Sequence, residues 1–127
     1  MIEYRIYIHD FDGDAKEVAE FLDFPDACHA NRGERNPEMV VPRRNSVMFS
    51  VDDPTGKDAS CLTAFAKEVT NRRENLRDLG GETTYKIALI VTGRGAEENV
   101  HVTVPTEISK IACELGCEID VFVSSLD

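Results

Sequence analysis

Strict alternation opens the chain. Ile2, Tyr4, Ile6 and Ile8 fall on one side, and Glu3, Arg5, Tyr7 and His9 on the other. That is the pattern of a strand with one face buried. Asp10-Phe11-Asp12-Gly13 follows as a turn, and Asp14 with Glu17 three residues on has the spacing of a helix N-terminus. Val18, Phe21 and Leu22 then share one side of a short helix that Pro25 helps to stop. From 25 to 45 the periodicity disappears and Pro25, Gly33, Pro37 and Pro42 punctuate the chain. This is a long ordered or semi-ordered loop, with an extended piece expected at Met39–Val41.

Periodicity returns at Ser46–Asp52, where Val47, Phe49 and Val51 alternate inward, and the turn Asp53-Pro54-Thr55-Gly56 ends that strand. Asp58 then caps the longest expected helix, over residues 59–79. Leu62, Phe65, Ala66, Val69, Leu76 and Leu79 lie at helical spacing along it, and Gly80-Gly81 closes it. Such a helix would be about 30 Å long, enough to cross a sheet. Thr84–Thr92 is apolar on both sides, as expected of the central strand of a sheet. Val100, Val102 and Val104 alternate like an edge strand. Thr106 caps a third helix that carries Ile108, Ile111, Ala112 and Leu115 inward and ends at Gly116, and Cys117–Val123 closes the chain as a strand. The expected order is β-α-β-α-β-β-α-β, with the long loop after the first helix and no linker dividing residues 1–127. The predicted class is α+β: one mixed or antiparallel sheet with three helices packed on it, ferredoxin-like in style.

The opening strand and helix, the Pro followed by a Gly-containing polar loop, the Tyr85–Val91 strand and the ending Val104-Pro105-Thr106-Glu107-Ile108 … Leu115-Gly116-Cys117-Glu118-Ile119-Asp120-Val121 form a recognisable series. In this series the chain resembles the bacterial domain-of-unknown-function family numbered 4279, over nearly its whole length. Members of that family tend to carry a Trp soon after the loop; here there is none, and Val47-Met48-Phe49 occupies that stretch. The resemblance implies a fold and brings no catalytic residues.

Composition bounds the rest. At 127 residues, with 42% hydrophobic and 30% charged positions, the chain suits one globular domain with a core of its own. No apolar run approaches the ~20 residues of a membrane helix. The N-terminus is already strand-like, so no cleavable signal peptide is expected and a cytoplasmic location follows. The net charge of −10 disfavours nucleic acid and anionic membranes as partners and suits a solvated surface or a basic protein partner. Cys28, Cys61, Cys113 and Cys117 are even in number, but three fall in patterns that suggest buried faces. With nothing marking export, reduced thiols are expected. Only Cys113 and Cys117 are close, at a helix end, which is poor spacing for zinc.

Two clusters invite chemistry. Asp10, Asp12 and Asp14 resemble the start of a calcium loop, but the sixth and twelfth positions hold Ala15 and Phe21 where such a loop needs Gly and Glu. No metal site is assigned. The second cluster is the loop, where Arg32, Arg35, Arg43 and Arg44 against Glu34 and Glu38 make the one basic island in an acidic chain. Arg presents a planar fork to carboxylates and phosphates, so with His29 these arginines are the candidate ligand- or partner-binding residues. Pairing with the protein's own acidic surface is the commoner fate of such side chains. His29 next to Cys28 is no nucleophile pair, since sequence neighbours on an extended chain point to opposite sides. No catalytic fingerprint occurs, and no catalytic set or cofactor is assigned.

The leading expectation is a non-catalytic protein-interaction module, an immunity- or antitoxin-like factor that offers carboxylates to a basic protein partner. The alternatives are a small anionic-ligand-binding protein or enzyme using the Arg-rich 25–45 loop, and a structural homo-oligomer, a homodimer in its simplest form.

Overall fold

The computed structural model describes residues 1–93 and 103–125. Its elements are β1 (Ile2–His9), α1 (Ala15–Leu22), β2 (Cys28–Ala30), β3 (Ser46–Asp53), α2 (Ala59–Asn71), α3 (Arg73–Asp78), β4 (Thr84–Gly93), α4 (Thr106–Leu115) and β5 (Glu118–Ser125). They build one five-stranded mixed sheet, ordered β2-β3-β1-β4-β5. β1 is antiparallel to both β3 and β4, and β4 and β5, joined through α4, run parallel. The α+β class therefore holds. The parallel pair makes the sheet mixed, and the described residues form four helices where three were predicted.

Alternation in β1 decides the layering. Ile2, Tyr4, Ile6 and Ile8 are buried, and across the register they meet Val51, Phe49 and Val47 of β3 and Val91, Leu89 and Ile87 of β4. Val18 and Leu22 of α1, Phe65 and Val69 of α2, Leu76 of α3, and Ile108 and Ile111 of α4 join the same hydrophobic cluster. The described helices thus pack on one face of the sheet. Phe24, Phe49 and Phe65 stack in series, with ring centroids 4.7 and 5.9 Å apart.

Five expectations change. The single long helix breaks at Arg72, whose φ of −107° and ψ of 7° leave the helical region. Its guanidinium reaches back to the Leu22 and Asp23 carbonyls, lies 4.7 Å from the Phe24 ring centroid and pairs with Glu68. Capping α1 from across the core thus takes precedence over helix continuity. Phe21, expected inward, is exposed, and the core takes Phe11, Ala15 and Phe24 instead. β4 is an interior strand, but β1 is the middle one. All four cysteines are free, and none is buried: Cys28 and Cys113 are exposed, Cys61 and Cys117 half-buried. Burial nonetheless pushes the Cys117 thiol up to about 11. Val100 and Val102 of the expected edge strand lie outside the described residues. Val104 is half-buried, packs against the core, and belongs to no strand.

The turn after β3 is held by Asp53, the one charged residue among the described buried ones. Its carboxylate accepts from the Thr55 hydroxyl (3.1 Å) and from the Gly56 and Asp58 backbone N–H groups (3.0 Å each). Gly56 sits at φ +71°, where a side chain would be strained, and so the chain can turn directly into α2.

Candidate functional site

The region without period is folded. β2 pairs with β3 (Cys28↔Met48, Ala30↔Ser46), so residues 31–45 form the loop of a long β-hairpin. Its legs are joined by Gly33 N–H to the Pro42 carbonyl (2.8 Å), Arg35 N–H to the Val41 carbonyl (2.9 Å) and a bridge between Asn36 and Val41. The extended piece expected at Met39–Val41 is instead a turn over 37–40 that re-enters the bridge at Val41. Val40 adopts φ +53°, a costly conformation for a β-branched residue that the surrounding bonds must sustain.

Two asparagines clip the hairpin root to the body. The Asn31 side chain accepts from the Ala15 N–H and donates to the Asp14 carboxylate, both at 2.8 Å. The Asn45 side chain accepts from the Arg32 N–H (2.7 Å) and donates to the Phe11 carbonyl (3.4 Å). The Asn31 amide holds the Asp14 carboxyl below its ordinary value, and the same carboxylate caps α1 through the Glu17 N–H. Nothing in the hydrophobic pattern marks either asparagine. Only Asn45 carried a signal, its position at the end of the aperiodic stretch.

The five candidate residues differ in what they touch. His29 is exposed on β2 opposite Val47. Arg44 is engaged: its guanidinium straddles the Asp10 carboxylate and donates to the Thr84 hydroxyl (3.0 Å), tying the hairpin to the ends of β1 and β4. This contact holds the Asp10 carboxyl below its ordinary range. Arg32, Arg35 and Arg43 are exposed, and their guanidiniums make no ion pair with a described residue. Among the described residues, intramolecular ion pairing therefore engages Arg44 and no other of the four. None of the described clefts, of about 200, 380 and 290 Å³, is lined by a residue of 31–45. Asp10 and Asp14 of the calcium-like series are engaged by Arg44 and Asn31, and among the described residues no group of three or more His, Cys, Asp or Glu could hold a metal ion.

The second region is the helix-free face of the sheet. In register across it lie Asp52, Glu3, Ile90 and Phe122; then Ser50, Arg5, Ala88 and Asp120; then Cys28, Met48, Tyr7, Lys86 and Glu118. Both cations are committed locally. Arg5 pairs with Glu3 and donates to the Tyr7 hydroxyl (2.8 Å). Lys86 pairs with Asp120 at 2.9 Å and lies 5.1 Å from the Phe122 ring centroid. His9 stacks on Tyr7, with ring centroids 5.8 Å apart. Burial, with Arg44 and Lys86 nearby, lowers its pKa. Ala88 is 1% exposed although it faces away from the helices, because Arg5 and Asp120 flank it.

Comparisons with protein-family models, curated proteins and solved structures find no match to this chain. No helix among the described residues is long and apolar enough to cross a membrane.

Proposed function

We propose that the chain is a non-catalytic protein-interaction module that binds a basic protein through the helix-free face of its sheet. It would act in the bacterial cytoplasm as an immunity- or antitoxin-like factor and belong to the family numbered 4279, which the quoted strand and helix series resembles. One observation carries the reading. On that face both cations are already neutralised by Glu3 and Asp120, leaving Asp52 and Glu118 without a described ion-pair partner beside Tyr7, Met48, Ile90 and the 48%-exposed Phe122. Aromatic and aliphatic side chains ringed by uncompensated carboxylates suit a surface bearing lysines and arginines. A net charge of −10 steers such a partner over longer range.

Capture from the native host's lysate tests this with wild type and an Asp52→Asn/Glu118→Gln/Phe122→Ala variant. A basic protein should be recovered stoichiometrically by wild type and lost with the variant. Recovery of no stoichiometric partner at low and moderate salt overturns the reading.

A homodimer is the second reading, favoured by β5. Val121 and Val123 are 53% and 74% exposed on a strand that pairs with β4 on one side and with no described strand on the other. Sedimentation showing the monomer mass across a wide concentration range removes it.

A further inference from the structure

We infer that the 31–45 hairpin is a docking surface for an acidic segment of another protein, held by Arg32, Arg35 and Arg43. The bond from Gly33 N–H to the Pro42 carbonyl sets the hairpin legs side by side, so Arg32 and Arg43 flank the same rung from opposite legs. Arg35 follows three residues after Arg32 along the first leg, at the next bonded rung. Three exposed arginines therefore sit on a short, bonded stretch of backbone. Their spacing does not depend on a floppy loop, because Asn31, Asn45 and Arg44 fix both ends of the hairpin to the Asp10–Ala15 stretch that joins β1 to α1.

The kind of partner follows from shape and charge. Small ligands need a concave site that removes most of their surface from water, and the described clefts lie elsewhere. A projecting hairpin instead meets a macromolecular surface, and Met39, 71% exposed near its tip, adds an apolar contact. Each guanidinium can take a carboxylate through two parallel N–H···O bonds. Glu34 and Glu38 interrupt the arginines along the loop, which favours acidic segments whose carboxylates avoid those two positions. Repulsion from the acidic body confines an acidic segment to the hairpin and so fixes the partner's orientation. Docking here does not depend on what the sheet face binds.

Fluorescence anisotropy of a labelled glutamate-rich peptide, with glutamine-rich and lysine-rich peptides of the same length as references, tests this. Wild type should bind the glutamate-rich peptide preferentially and lose affinity as salt rises. An Arg32→Gln/Arg35→Gln/Arg43→Gln variant with unchanged melting should lose about tenfold or more. Arg44→Gln should lose less, since Asp10 already neutralises Arg44. Asp52→Asn/Glu118→Gln/Phe122→Ala should bind this peptide as wild type does, which separates failure at the hairpin from failure at the sheet face. Equal binding of the glutamate-rich and glutamine-rich peptides, or undiminished binding by the triple-arginine variant, overturns the proposal. So does salt-sensitive self-association of wild type that the triple variant lacks, because the occupant would then be a second copy of this chain.

Discussion

The two faces of the sheet are built from the same strands and differ only in which alternate residues each displays. On one face Ile6, Ile8, Val47, Ile87 and Leu89 are sealed beneath four helices, with almost no polar group to satisfy. On the other, Arg5, Tyr7, His9, Lys86 and Phe122 cover one another through ion pairs, a ring stack and a cation–π contact. The first face is held by apolar area removed from water, about 25 cal/mol per Å². The second is held by pairs that water screens, each worth little in stability. Stability is thus concentrated on one side of the pleat, and the face proposed for binding can be changed without unfolding the molecule.

The sharpest way to break that comparison is a matched pair of truncations. Leu76→Ala removes a fully buried side chain from the covered side and is expected to cost about 2–5 kcal/mol in chemical denaturation. Phe122→Ala on the open face should cost under about 1 kcal/mol, despite the larger side chain. Equal losses would mean that the open face is itself part of the core.

The hairpin sharpens the contrast at smaller scale. Arg44→Gln removes a half-exposed ion pair and should cost up to about 1 kcal/mol. Arg32→Gln, Arg35→Gln and Arg43→Gln should each stay within about ±0.5 kcal/mol. A loss of several kcal/mol from any of those three would show that it pins the loop down.

The smallest expected effect is a pH dependence at His9. Its pKa is lowered in the folded state from the ordinary 6.5, chiefly by burial, so the unfolded chain binds the proton first as pH falls. The contribution of His9 is therefore complete above pH 6.5, declines as pH drops through that value, and levels off below the lowered folded value. Melting curves on either side of pH 6.5 should show this decline in wild type and a flatter response in His9→Gln. The depressed carboxyls of Asp10 and Asp14 act only at lower pH, from an ordinary value of 3.8, so the windows separate.

Much of the architecture was legible because it is periodic. Alternation located β1, β3 and β5, helical spacing located the buried faces of α2 and α4, and Asp14, Asp58 and Gly116 marked helix ends where the structure has them. The α2–α3 break was hidden because its cause is Arg72 reaching the end of α1, about fifty residues away in sequence. For the same reason β2 and the order of the hairpin escaped notice. Three residues give too short a period to detect, and the bonds holding the loop run from Asn31 and Asn45 to groups of the β1–α1 connection.

By itself, then, the sequence determined the covered face and the basic character of the 31–45 stretch, since burial period and formal charge are properties of local composition. Only the tertiary structure decided which strand is central, which arginine is engaged and which three are not, and that Tyr7 stacks on His9 beneath no helix. Those outcomes depend on distances between residues far apart in the chain, which pairing in the sheet and packing against it establish and which no local pattern encodes.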